Sequence, residues 1–270
     1  MTVCEKAYAK INLYLSVGTR RPDGYHELTT LMQTVDLFDE LKVTVTPTDT
    51  TAVTLTVLEN TELVTDQRNL AVRAALAYLE SAGLTADVSI ELKKRIPVAA
   101  GLAGGSADAA AVLRAMNLAC RAMDDDRLLD LAATLGSDVP FCLIGGCAVC
   151  RGRGERISPV LGVKAQNLVL AFSGEPVSTP DAFRALDLQG ERGVAPANEK
   201  ALASLVEYLQ DGGSVPRLYN SFEAVILPTL PVASELHRRL SDMADAVLMS
   251  GSGSTVFGIF HDAERHRRSS

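Results

Sequence analysis

Residues 97–108, Pro-Val-Ala-Ala-Gly-Leu-Ala-Gly-Gly-Ser-Ala-Asp, are the stretch of this 270-residue sequence best suited to chemistry. Gly101, Gly104 and Gly105 let backbone N–H groups approach a guest closely, and Ser106 follows them. A helix starting here would aim unpaired N–H groups and its dipole at negative charge, so a phosphate is the natural ligand. The spacing lacks G-x-x-x-x-G-K-[ST], which excludes a Walker A loop, and it does not complete a dinucleotide-binding G-x-G-x-x-G. A tight turn leading into a capped helix, with no ligand, would use the same glycines.

Other candidates are scattered. Residues 4–17 alternate as a strand, with Lys10 and Asn12 on one face beside Tyr8 and Tyr14, and Ala9, Ile11, Leu13 and Leu15 on the other. Within this segment alone, solvation explains the lysine and the amide. Residues 18–26, Gly-Thr-Arg-Arg-Pro-Asp-Gly-Tyr-His, form a turn-rich loop presenting Tyr25 and His26 together, able either to stack on a base or merely to pack. Asp138 falls between a helix stop at Gly136 and Pro140, where it reads as a helix cap. A second small-residue loop, Ser250-Gly-Ser-Gly-Ser-Thr, suggests that both glycine-rich loops serve one ligand.

The elements that must position these residues follow from periodicity. Val88, Ile90 and Leu92 alternate as a half-buried strand just before the first loop, and residues 107–121 form an alanine-rich helix after it. Two β-branched runs within residues 41–58 read as a hairpin turning at 47–51. Helices are expected at 69–82, 124–135, 198–210, around 222–227 and at 232–244, with Gly83 and Gly136 as stops. A strand starts at Gln166, residues 174–183 read as a loop, and 246–260 as a hairpin around the serine-glycine turn. A domain boundary is placed near residue 158, giving domains 1–158 and 159–270.

Composition narrows the function. The net charge of −7 argues against general nucleic-acid binding, which needs broad cationic surface. Local cations remain at Arg20–Arg21, Lys93–Lys94–Arg95 and Arg151/Arg153/Arg156. No apolar run is long enough to span a bilayer, and the N-terminus lacks the pattern of a signal peptide. Five cysteines, an odd number, suit a reduced cytoplasm, and Cys142, Cys147 and Cys150 lack zinc-site spacing and read as small buried hydrophobes. A soluble cytoplasmic protein is expected.

Taken together, Lys6-Ala-Tyr-Ala-Lys-Ile-Asn-Leu, Arg21-Pro-Asp-Gly-Tyr-His-Glu-Leu, Ile96-Pro-Val-Ala-Ala-Gly-Leu-Ala-Gly-Gly-Ser-Ala-Asp, Gly136-Ser-Asp-Val-Pro and Ser250-Gly-Ser-Gly-Ser-Thr resemble the motifs of the GHMP small-molecule kinases. The Arg-Pro-Asp-Gly-Tyr-His portion is similar to the branch that acts on 4-diphosphocytidyl-2-C-methyl-D-erythritol. The resemblance implies an α+β, two-domain GHMP-kinase fold. Its N-terminal domain would be ribosomal-protein-S5-domain-2-like and its C-terminal domain a ferredoxin-like α/β sandwich. It implies a transferase that uses ATP and Mg²⁺ to phosphorylate the 2-hydroxyl of that substrate, in the non-mevalonate route to isoprenoid (terpenoid) precursors. The partner is then that small molecule, with no nucleic acid or membrane, and the protein a monomer or weak homodimer.

Residue by residue, the resemblance implies Asp138 as the base that takes the substrate proton and Lys10 as the cation that holds it and steadies developing charge. Pro97, Val98, Ala99, Ala100, Gly101, Leu102, Ala103, Gly104, Gly105, Ser106 and Ala107 would form the ATP loop. Asn69 and Lys94 would lie near the adenosine. Tyr25 and Phe183 would sandwich the cytosine with His26 at its polar edge. Asn12 would lie near the transferred phosphate, with Thr179 and Pro180 beside the pocket. No residue is assigned to the metal. Ala103 and Ala107 stand where the commoner loop has Gly and Ser. The chain stops after Phe260-His-Asp-Ala-Glu-Arg-His-Arg-Arg-Ser-Ser, where family members continue with a helix and a last strand, implying a shortened chain or a second domain closed differently. Rival readings are a mevalonate- or homoserine-type member of the same family and a non-catalytic ligand-binding protein on the same fold.

Overall fold

Alternation at the N-terminus produces two long strands, β1 (Thr2–Arg20) and β2 (His26–Pro47), joined by a short turn. The structure is a computed structural model that describes residues 1–59, 63–190 and 197–261; the expectations about the chain end beyond His261 lie outside them. The chain divides into two compact units. The first comprises Met1–Lys10, Thr34–Val98 and Ala103–Gly145, and the second Ile11–Gln33, Ala99–Leu102 and Gly146–Ser270. Residue 158 lies in the second.

In the first unit, the C-terminal half of β2 pairs antiparallel with β4 (Ala86–Lys93), and β4 pairs in parallel with β3 (Ala52–Leu58). The expected hairpin of the two β-branched runs is therefore absent, because β4 lies between them. Burial explains the order: Val88, Ile90 and Leu92 of β4 are fully buried, whereas Val53 and Val57, their partners at either end of the β3 pairing, are only half-buried, as suits an edge. Helix α1 (Leu70–Ala82) starts at Asn69, whose side chain accepts from the Ala71 N–H, and ends at Gly83 in a left-handed conformation. It packs on α2 (Gly104–Cys120). Buried alanines on both helices, including Ala71, Ala74, Ala75, Ala109, Ala110 and Ala111, line these two elements with little bulk. The glycines at 104 and 105 sit inside the first turn of α2, so the helix begins three residues earlier than its alanine run suggests. α3 (Asp125–Leu135) is capped by Asp124, and α4 (Val139–Ile144) follows.

In the second unit, the first half of β2 pairs with β5 (Cys147–Gly152), which pairs with β6 (Arg156–Pro159). β8 (Tyr219–Asn220) lies parallel to residues 14–15 of β1. The hairpin of β9 (Ala246–Met249) and β10 (Val256–Phe260) forms as expected, and β7 (Asn167–Ala171) joins β10 on its other edge. α8 (Pro231–Ser241) covers this sheet, with Ala233 and Leu240 against Val256 and Phe260. The stretch read as a loop ending at Phe183 instead becomes α5 (Thr179–Leu188) from residue 179 onward, with Pro180 in its first turn, where a missing N–H costs nothing. α6 (Glu199–Asp211) and the short α7 (Glu223–Ile226) fall where helices were expected. Cys147 and Cys150 are buried, as small hydrophobes would be, while Cys142 is half-buried. Among the described residues, no helix is long and apolar enough to cross a membrane.

Candidate active site

The first unit brings Lys10 and Asp138 together. The Lys10 ammonium lies 3.4 Å from Asp138 Oδ2, with side-chain exposures of 5% and 31%. Solvation therefore does not explain Lys10. Nor does capping explain Asp138: it occupies the N-cap position of α4, yet its side chain makes no capping hydrogen bond. A buried cation beside a partly open carboxylate holds that carboxylate in place while leaving it reachable, which is what proton abstraction from an alcohol needs.

What places these two side chains is a residue the sequence reading missed. Arg114, on α2, donates to Glu5 Oε2, to the Lys6 carbonyl and to the Cys142 carbonyl, each at 2.9 Å. It thereby ties the strand carrying Lys10 to the helix that Asp138 begins. Burial pushes the Cys142 thiol well up, so it stays neutral beside the pair.

The glycine-rich loop passes from β4 into α2 through left-handed backbone at Ala99 (φ 54°), Gly101 (φ 77°) and Ala103 (φ 57°). For the alanines this costs roughly 1 kcal/mol each, strain of the kind that clusters at ligand sites. Gly101 permits nothing larger, since a Cβ there would meet the Ser250 carbonyl oxygen at 2.1 Å. The Ser250 hydroxyl also donates to the Gly101 carbonyl at 3.0 Å, and the Thr255 N–H to the Ala100 carbonyl at 3.2 Å. The two glycine-rich loops thus touch at residues 100–101. Pro97 and Val98 open the loop, with Val98 exposed, and Ser106 and Ala107 lie in the first turn of α2, with Ala107 buried. A loop with several N–H groups, left-handed turns and a following helix fits a polyphosphate.

Lys94 is not a free cation. Its ammonium is buried between Asp39 and Asp108, at 2.5 Å and 2.7 Å. Asn69 is likewise engaged: it caps α1, and its amide donates to the Val64 carbonyl at 2.8 Å. These residues, implied for the adenosine, are placed as structural pins.

The second unit assembles the aromatic residues. His26 and Phe183 stack with centroids 5.0 Å apart and planes 16° apart, and Phe222 meets Phe183 edge-on at 4.9 Å. One turn beyond Phe183, Asp187 Oδ1 lies 2.8 Å from His26 Nε2. The ring stacked on Phe183 is therefore His26. Tyr25 is 52% exposed, with the Arg153 guanidinium 4.9 Å above its ring. Asn12 is buried, its amide donating to Thr30 Oγ1 at 2.8 Å. Thr179 Oγ1 lies 3.0 Å from Ser252 Oγ, linking the first turn of α5 to the second glycine-rich loop, and Pro180 beside it is exposed. That loop is also held by Asn220, whose amide donates to the carbonyls of Met249 and Gly251 at 2.7 and 2.8 Å.

Asp39, Asp108, Arg114, Asp187 and Asn220 left little trace in the sequence, because each acts on a partner far along the chain. Asp108 alone stood inside a recognised motif.

A strand-loop-helix segment that fits a polyphosphate and a lysine–aspartate pair suit a small-molecule kinase. The family model described as GHMP kinases N terminal domain matches residues 69–146. A relative from Deinococcus radiodurans, 4-diphosphocytidyl-2-C-methyl-D-erythritol kinase, is 44% identical over 95% of this chain and 84% of its own length. A crystal structure of 4-(cytidine 5'-diphospho)-2C-methyl-D-erythritol kinase is 40% identical, covers 99% of this chain and 93% of its own, and has a TM-score of 0.81. The homoserine kinase from Cytophaga hutchinsonii, at 22% identity and a TM-score of 0.74, shares the fold. The chain belongs to the 4-diphosphocytidyl-2-C-methyl-D-erythritol kinase family of GHMP kinases.

Proposed function

We propose that this chain transfers the terminal phosphoryl group of ATP to the 2-hydroxyl of 4-diphosphocytidyl-2-C-methyl-D-erythritol, in the non-mevalonate route to isoprenoid precursors. Family membership at 44% identity supports the substrate. The observation that carries the chemistry is the Lys10–Asp138 pair.

In this reading Asp138 accepts the hydroxyl proton as the oxygen attacks, and Lys10 holds the carboxylate and steadies negative charge. Phosphoryl transfer asks little covalent chemistry of the protein, so positioning and cations dominate. Residues 97–107 receive the phosphates through backbone N–H groups, with Asn69 and Lys94 shaping the nucleotide end. Magnesium supplies charge neutralisation when bound with the nucleotide.

Tyr25, His26 and Phe183 are the cytosine residues of the proposal. With Nε2–H donated to Asp187, His26 keeps Nδ1 as an acceptor for the 4-amino group of cytosine. Asn12 would lie near the transferred phosphate, and Thr179 and Pro180 beside the base. The same reading takes 1–158 and 159–270 as the two family domains. It places the protein in the cytoplasm, as its odd number of cysteines suits, as a monomer or weak homodimer without nucleic-acid or membrane partners.

The test is ADP release by the purified protein with ATP, Mg²⁺ and 4-diphosphocytidyl-2-C-methyl-D-erythritol, with mevalonate and homoserine as competing alcohols. Turnover confined to the cytidine substrate supports the proposal. Turnover on another alcohol alone, or none on any, overturns it.

A further inference from the structure

We propose that Asp39, Lys94 and Asp108 form a buried clamp that sets ATP affinity by fixing both ends of the phosphate loop, which makes the two aspartates positioning residues. The inference rests on the ATP reading above.

The geometry is specific. Lys94 directly follows β4, Asp39 comes from β2 and Asp108 from the second turn of α2, and all three side chains are buried. Besides Lys94, Asp39 accepts the backbone N–H groups of Arg95 and Ile96 through Oδ1. One carboxylate thus fixes the chain where the loop departs. The other holds the helix where it returns. Between them, a Cβ on Gly104 would lie 3.0 Å from the Lys94 ammonium and 2.9 Å from Ile96, so the helix start rests directly on the strand end. The intervening residues carry left-handed backbone at Ala99, Gly101 and Ala103, a shape that unanchored ends would relax.

The charge count also has a consequence. One ammonium faces two carboxylates, and Asp108 Oδ1 is buried with no hydrogen-bond partner among the described residues. Burial pushes the Asp108 carboxyl up to about 7, opposed by Lys94 and reinforced by Asp39. Cys142 of α4 also feels the Asp108 charge, but burial pushes its thiol up and keeps it neutral in this range. The clamp therefore gains a negative charge near neutrality, next to the helix start that receives phosphates, and ATP is held less well as pH rises.

Calorimetry with ATP and Mg²⁺ tests this on the full chain, between pH 6 and 8. Wild type should lose about threefold to tenfold in ATP affinity over that range, beyond what Asp108→Asn shows. The nucleotide's own titration is common to both proteins. Asp39→Asn and the neutral Asp39→Asn/Lys94→Met/Asp108→Asn variant should raise the KM for ATP at least tenfold, with kcat changed less than threefold and a native melting transition retained. If folded variants bind ATP within twofold of wild type, and Asp108→Asn shows the same pH dependence, the clamp is wrong. If wild type binds no ATP, the nucleotide reading falls and takes the clamp with it.

Discussion

The Lys10 ammonium and the Asp138 carboxylate stand 3.4 Å apart, and Asp138 takes no part in capping the helix that it begins. Replacing Asp138 with Asn keeps the shape and removes the proton acceptor. Turnover should fall by roughly 10²–10⁴-fold, the usual worth of a positioned base. ATP affinity should stay nearly unchanged. Coupled ADP-release assays beside calorimetric ATP titrations check both halves, and equal turnover removes Asp138 from the mechanism.

Arg114 predicts a subtler phenotype. Its guanidinium holds the Lys6 carbonyl of the strand that carries Lys10 and the Cys142 carbonyl of the helix that Asp138 begins, and a lysine in its place cannot reach both with a planar fork. Arg114→Lys should therefore lower kcat about tenfold with KM values for both substrates within threefold. A rise in KM without loss of kcat would contradict this positioning role.

Phe183 supports His26 by stacking, and Asp187 supports it by hydrogen bonding. Phe183→Ala should raise the KM for the cytidine substrate by an amount corresponding to about 1–3 kcal/mol, the range for base–aromatic stacking. Asp187→Asn should raise the same KM and leave the KM for ATP alone. Steady-state kinetics with each substrate varied in turn separates these outcomes.

Asp108 also gives stability a pH dependence. Its folded carboxyl titrates near 7, against about 3.9 in an unfolded chain, so the folded state binds more protons between those values. This group's contribution is thus most favourable below about pH 4 and is lost as pH rises through 7. Urea midpoints at pH 5 and pH 8 should differ less in Asp108→Asn than in wild type.

Much of the fold could be read locally. Asn69 and Gly83 delimit α1 because an Asx cap and a left-handed glycine are local devices, and the β9–β10 hairpin follows from two short apolar runs around small residues. Strand order could not be read in the same way. The alternation in residues 41–58 fits a hairpin as well as it fits two strands flanking β4, and the choice falls to the more buried Val88, Ile90 and Leu92. In the site, Lys10 and Asp138 drew notice through motifs. Lys94 looked like an available cation, because the two carboxylates that occupy it come from other elements.

The contact between Gly101 and the Ser250–Gly251 backbone leaves no room for a methyl group on either glycine: a Cβ on Gly251 would lie 2.8 Å from the Gly101 carbonyl oxygen. The two segments are consequently a matched set in inheritance and in engineering. A loop transplanted from a relative at one position must bring its counterpart, and a lone side chain at either glycine would prise apart both rims at once.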